Sequence, residues 1–161
     1  MKRDAAYWKE HLHLGSHPEG GSYVSSFTAS ETIDTEAGKR PLFTSIYFML
    51  ADGELSHFHQ LKSDELWYYH DGSAMTVHMI SSEGEYSEVK LGLNIGAGEH
   101  PQLLVPAGTV FGSSLIENGE YALVGCMVSP GFDFEDFKLF TEDELIVKFP
   151  QHSAIIQQMT R

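Results

Sequence analysis

From Ser22 to about Val128, apolar and polar residues alternate in short runs punctuated by turn-forming pairs. The period is that of a strand with one face in a core. It predicts strands over Ser22–Thr28, Leu42–Leu50, Glu54–His59, Glu65–His70, Ala74–Ser81, Tyr86–Leu91, Gln102–Val105, Thr109–Ile116 and Tyr121–Val128, all rich in β-branched and aromatic residues. Asp52-Gly53, Asp71-Gly72, Glu83-Gly84, Gly96-Ala97-Gly98 and Asn118-Gly119 mark turns between them. Such closely spaced strands predict an antiparallel sandwich or barrel, and the lack of helical stretches between them argues against a parallel sheet.

The flanks read differently. Ala5, Trp8 and Leu12 share helical spacing, which predicts a short helix over residues 3–14 with Gly15 as its C-cap. His17-Pro18-Glu19-Gly20-Gly21 then breaks regular structure, and the polar segment Ala29–Arg40 reads as a mobile loop. After Ser129 come a Pro130-Gly131 turn and the run Phe132–Phe137, where apolar and acidic residues alternate. Thr141-x-x-Glu144 is a capping box opening a helix that Pro150 ends, and Ala154–Met159 predicts a last helical turn or two. These helices are expected to cover an open end or edge of the sheets. The whole reads as one domain, residues 1–161, with the strands over 22–128 and a cover over 129–161.

Composition narrows the function classes. With 42% hydrophobic and 12% aromatic residues, a chain of 161 residues sustains a core without disulfides. The single Cys126 lies in an apolar run and reads as a small packed hydrophobe. Ten Lys and Arg against 23 Asp and Glu give a net charge of −13. That acidity argues against nucleic acid and against an anionic membrane surface as partners. No apolar run approaches the roughly 18 residues that span a bilayer, and the charged N-terminus has no apolar centre of the kind a secretory signal carries. The expectation is a soluble cytoplasmic protein acting on, or binding, a small molecule.

Two His-x-His pairs occur. His11-x-His13 falls on the predicted helix, where residues two apart diverge. His57-x-His59 falls on a predicted strand, where they share a face. Six residues on, Glu65 opens the next strand, and a hairpin would return it beside both rings. Two imidazoles and a carboxylate form a ligand set suited to Fe, Mn, Ni or Zn. By parity Glu65, Trp67 and Tyr69 face one way. A glutamate on an inward face is costly unless paired, hydrogen-bonded or wet, and His59 is the obvious partner. Tyr23, His57, Trp67, Phe111 and Gln102 are candidate ligand-binding residues around them, with His70 and His78 weaker. His17, His100 and His152 lie in or near turns and read as surface residues. Asp133, Glu135 and Asp136 lack Ca²⁺-loop spacing and read as a solvated face. No P-loop or Gly-x-Ser-x-Gly element is present.

The stretch Gly53-x3-His57-x-His59-x5-Glu65-x6-Gly72, followed by Gly98-x7-Pro106-x-Gly108, resembles the two motifs of the cupin superfamily. A closer resemblance covers almost the whole chain. His17-Pro18-Glu19-Gly20-Gly21 with Tyr23, Ser45–Leu50, Ser63–Trp67, Pro101-Gln102-Leu103, Val105–Thr109 and Pro130–Phe137 are similar to the cupin-5 (DUF985) family of RmlC-like cupins. That resemblance implies a jelly-roll antiparallel β-barrel and commonly a homodimer. It implies no established activity. In metal-binding cupins a further histidine follows the second motif, and here that position is Phe111, so a divalent metal is not expected to be tightly bound. Three readings stand side by side: an epimerase- or isomerase-type enzyme with His59 as base, Glu65 as its orienter and Tyr69 or Tyr23 as acid; a metal-dependent oxygenase or lyase using His57, His59 and Glu65; and a non-catalytic ligand-binding module.

Overall fold

A computed structural model describes residues 2–161. In chain order the elements are α1 (Ala5–His11), β1 (Gly15–Ser16), β2 (Ser22–Thr28), β3 (Thr32–Thr35), β4 (Gly38–Pro41), β5 (Thr44–Ala51), β6 (Leu55–Gln60), β7 (Asp64–Gly72), β8 (Met75–Ile80), β9 (Tyr86–Leu91), β10 (Glu99–His100), β11 (Gln102–Val105), β12 (Val110–Leu115), β13 (Tyr121–Ser129), β14 (Lys138–Leu139), α2 (Glu142–Lys148) and α3 (Ser153–Met159). One six-stranded sheet runs β1-β2-β5-β13-β7-β11, and a second runs β10-β9-β8-β12-β6-β14. Every pairing is antiparallel except β9 with β10. No pairing among the described residues joins the two sheets, so they form open layers packed over a shared core rather than the closed barrel expected from the sequence.

Strand alternation builds that core. On β5, Ile46, Phe48 and Leu50 face Trp67, Val124 and Cys126 of the same sheet, and Met75, Val77 and Phe111 of the other. Burying side chains of this size contributes about 1.5–3 kcal/mol each. The intervening residues Tyr47 and Met49 are also apolar, and with Tyr121 and Leu123 they make a second face that takes Trp8 and Leu12 of α1. Asp4 caps that helix, its Oδ1 accepting from the Tyr7 amide at 2.8 Å. Its C-cap is Leu12, with the left-handed turn at His13 (φ 57°), so Gly15 enters β1 instead of ending the helix.

The C-terminal helices lie elsewhere than expected. Phe58, Ile80 and Val110 point outward from the second sheet and bury against Leu145, Phe149, Ile156 and Met159. Thus α2 and α3 cover a sheet face, not an open end. The capping box forms as read, Glu144 donating its amide to Thr141 Oγ1 at 3.3 Å and accepting from the Thr141 amide at 2.9 Å.

The polar segment expected to be a loop is a β3–β4 hairpin. Its anchor is Arg40, only 5% exposed. Arg40 Nε donates to Asp136 Oδ2 at 2.9 Å, and a terminal nitrogen donates to Glu135 Oε2 at 3.3 Å. Asp133 Oδ2 stands 3.9 Å from the same guanidinium. Of the acidic residues read as a solvated face, Asp136 is buried on this cation, while Asp133 and Glu135 reach it from positions open to solvent, and together they fix the segment that carries Phe132, Phe134 and Phe137.

Candidate functional site

A cavity of about 370 Å³ opens between the two sheets. Tyr23, Ile46, Phe48 and Trp67 supply its apolar walls, and Phe132, Phe134 and Phe137 line it from the segment after β13, where Phe134, 53% exposed, marks the entrance. Among the titratable side chains that line it, His17, Glu19, His59 and Glu65 are grouped together in its buried interior.

Glu19 is the organiser, and its position follows from local backbone. Gly20 sits at φ 113°, and a Cβ there would collide with the Leu55 carbonyl of β6. Gly21, at φ 75°, comes equally close to β5, a Cβ there meeting the Met49 carbonyl at 2.8 Å. Only paired glycines let the turn press onto both strands. His57 then locks it. Its amide donates to the Glu19 carbonyl at 2.7 Å, and its ring Nδ1 donates to the same oxygen at 2.6 Å. The Glu19 carboxylate, 6% exposed as a residue, is thereby aimed at His59.

Protonation states follow from the partners. His59 Nδ1 lies 2.7 Å from the His57 carbonyl, an acceptor, so that nitrogen carries hydrogen. Nε2 lies 2.7 Å from Glu19 Oε2. A ring donating from both nitrogens is an imidazolium. Burial alone would lower the His59 pKa, but the Glu19 carboxylate outweighs it and holds the ring charged. Burial likewise pushes Glu19 up, and His59 overcomes it, leaving Glu19 ionised below the usual carboxylate range. His17 accepts the Glu19 amide at Nδ1, 3.2 Å away, so its proton rides on Nε2. Burial lowers its pKa further and keeps it neutral.

Glu65 is the counterpart. Burial, reinforced by the Glu19 charge, pushes it up to about 8, against weaker opposing pulls from His59 and the Trp67 indole. Trp67 Nε1 donates to Glu65 Oε2 at 3.2 Å. At neutral pH the buried interior of the cavity thus holds one ionised glutamate and one protonated one.

The fold and motifs match known proteins. A family model described as the cupin superfamily (DUF985) matches residues 6–140. The chain belongs to this family. This cupin is 30% identical, over 82% of its length and 73% of the relative's, to an uncharacterised protein of Saccharomyces cerevisiae. It superposes with a TM-score of 0.93 on the crystal structure of a Shewanella oneidensis protein, 48% identical, with 99% of each chain covered. A hypothetical protein from Leishmania major, 39% identical, gives the same TM-score over 98% of this cupin and 99% of that chain. A Bacillus subtilis oxalate decarboxylase shares the fold alone, at 16% identity and a TM-score of 0.58, with 89% of this cupin covering 36% of that longer chain.

The metal triad read from the sequence is not assembled. The β6–β12 register shifts between His59 and Ser56, a bulge that breaks the shared parity of His57 and His59. His57 is turned to the Glu19 carbonyl, and the Nε2 of His59 is taken by Glu19. Phe111 packs its ring 4.1 Å from that of His59. Among the described residues no group of three His, Cys, Asp or Glu side chains is arranged to hold an ion. These donors do not fit a cupin metal centre.

Of the other sequence candidates, Tyr23, Trp67, His59 and Glu65 come together at the cavity. Phe111 is buried behind His59 and is not part of the wall. Tyr69 keeps the parity of Glu65 but lies past the cavity, its hydroxyl donating to the Gly72 carbonyl at 2.6 Å. Gln102 is exposed, because Leu103 and Val105 take the inward positions of β11. His70 is exposed, and His78 lies on the far face of the second sheet against Ser114 and Tyr86. His17 corrects the surface reading, since its side chain is 7% exposed. Cys126 lines the cavity as a buried thiol whose pKa burial pushes up. Among the described residues no helix is long and apolar enough to cross a membrane.

Proposed function

We propose that this cupin binds a small ring-shaped metabolite, sugar-like in its hydroxyl or carbonyl groups, and acts on it by proton transfer as an isomerase or epimerase does. One observation carries the reading: two buried carboxyl groups face one cavity in opposite surroundings, Glu19 2.7 Å from the His59 imidazole and Glu65 hydrogen-bonded by the Trp67 indole, and these surroundings drive their pKa values in opposite directions. Such a split separates a proton donor from an ionised acceptor. Glu65 is the donor, able to protonate a substrate oxygen. Glu19 is the ionised carboxylate, able to take a proton from a carbon beside a carbonyl. His59, His57 and His17 position Glu19. Aromatic walls suit the apolar faces of a ring. The role of base passes from His59 to Glu19 because both nitrogens of His59 are already donating.

That same saturation of His59 favours a second reading, a binding module without turnover. One experiment separates the two. The protein is incubated in D2O with a panel of keto sugars, aldoses and lactones, with melting temperature and ligand mass both recorded. The enzymatic reading expects a panel member to raise the melting temperature and to gain deuterium at carbon, with the gain lost in Glu65→Gln. A stabilising ligand that gains no deuterium and yields no product makes the protein a binding module. A panel that does neither overturns both.

A further inference from the structure

The cavity has a charge pattern as well as a shape. Among the described residues, no Lys or Arg lines it. Its one cationic side chain, His59, has Nε2 on Glu19 and Nδ1 on the His57 carbonyl. Arg40, beside the entrance segment, is similarly occupied. Its nitrogens donate to Asp136 at 2.9 and 3.1 Å, to Glu135 at 3.3 Å, and to the carbonyls of Lys39 at 2.9 Å and Ala37 at 3.4 Å. Asp133 lines the cavity with its side chain 43% exposed, adding negative charge at the rim. Apart from the carboxylates of Glu19 and Asp133, the polar groups left to meet a ligand are uncharged, among them the protonated Glu65, the Nε2–H of neutral His17 and the Tyr23 hydroxyl.

An anion entering here would lose its hydration and find no free cation. It would also face Glu19 and Asp133 at short range in a low dielectric. Phosphate sites normally supply Arg, Lys or a helix N-terminus, and the lining offers none. The volume, about 370 Å³, lies near the lower end of the roughly 300–1,000 Å³ typical of ligand pockets, which leaves no room for a nucleotide beside a sugar. We infer that the cavity selects uncharged ligands of about monosaccharide size and rejects their phosphorylated, carboxylated or nucleotide-linked counterparts. The inference rests on the reading of this cavity as the ligand site, and it narrows that reading to one substrate class.

A matched pair of fluorescent probes tests it without knowledge of the natural ligand. N-phenyl-1-naphthylamine is neutral, and 8-anilinonaphthalene-1-sulfonate carries the same rings with one sulfonate. The full chain is titrated with each near neutral pH. The neutral probe should bind at least about tenfold more tightly, a difference of about 1.4 kcal/mol. Uncharged hexoses and lactones should displace it better than their phosphates do. Asp133→Asn, which keeps the acceptor that caps the following turn, should narrow the gap between the probes. Ile46→Trp fills the cavity, and a variant that still melts cooperatively should lose the probe. Equal or tighter binding of the sulfonate, or better displacement by phosphates, overturns the charge selection while leaving the cavity a ligand site. Binding of neither probe, or retention of the probe by Ile46→Trp, removes the cavity as the ligand site, and the functional reading falls with the inference.

Discussion

Replacing Glu65 by Gln should make the protein more stable at pH 8 and leave it nearly unchanged at pH 4.5. In the unfolded chain the Glu65 carboxyl releases its proton near 4.5, whereas in the fold it holds the proton up to about 8. Between those values the native state binds the proton and the unfolded state does not. Wild-type stability must therefore fall as pH rises through the window, and level off above about 8. Each tenfold in proton affinity is worth about 1.4 kcal/mol, so the full displacement amounts to on the order of 5 kcal/mol, an upper bound because denatured chains retain structure. Glutamine is neutral throughout, matches the shape, and still accepts the Trp67 indole hydrogen. Urea unfolding of both proteins at a series of pH values, with the slope against denaturant checked for constancy, gives the difference directly. The curves should coincide at low pH and diverge by several kcal/mol toward pH 8. Parallel curves, or a variant less stable than wild type at pH 8, would refute the claim that Glu65 is buried as a neutral acid.

Three further outcomes follow from the same geometry. Glu19→Gln strands the His59 cation, and breaking such a buried pair costs about 3–5 kcal/mol. Glu19 is shifted down from 4.5 and His59 up from 6.5, so the pair's contribution is lost as pH falls through the first folded value or rises through the second, and the destabilisation measured by urea should peak between 4.5 and 6.5. Arg40→Ala releases the acidic residues of the entrance segment, and amide hydrogen exchange over residues 133–137 should accelerate while that of β13 does not. Addition of Fe(II), Mn(II), Ni(II) or Zn(II) should leave the melting temperature of chelator-treated protein unchanged. A stoichiometric metal with a matching rise would contradict the finding that Glu19 already engages the rings of His57 and His59.

The sequence carried the sheets because their signal is periodic. The strand over β5 is legible in its apolar run, but because Tyr47 and Met49 are as apolar as Phe48 and Leu50, which face meets the other sheet and which takes α1 is set by packing. Alternation places Glu65 and Trp67 inward, and both face the cavity. Glu19 and His17 escape such a reading because a turn has no period. Their only local trace is Gly20-Gly21, whose positive φ lets the turn press onto β6 and β5. His57 departs from its expected role because a bulge, invisible to residue counting, breaks the parity with His59. The β3–β4 hairpin is hidden for a third reason. Its anchor is an ion pair between Arg40 and Asp136, 96 residues apart in sequence, and hydropathy does not register such a contact.

Two glutamates that share one cavity in opposite protonation states give two separate carboxyl titrations. Carbon-13 NMR of the glutamate side-chain carboxyls, assigned through Glu19→Gln and Glu65→Gln, measures both titrations in the intact protein. Glu65 should titrate at about 8 and Glu19 below 4.5. Both carboxyls titrating together near 4.5, or Glu65 already ionised at neutral pH, would contradict this split.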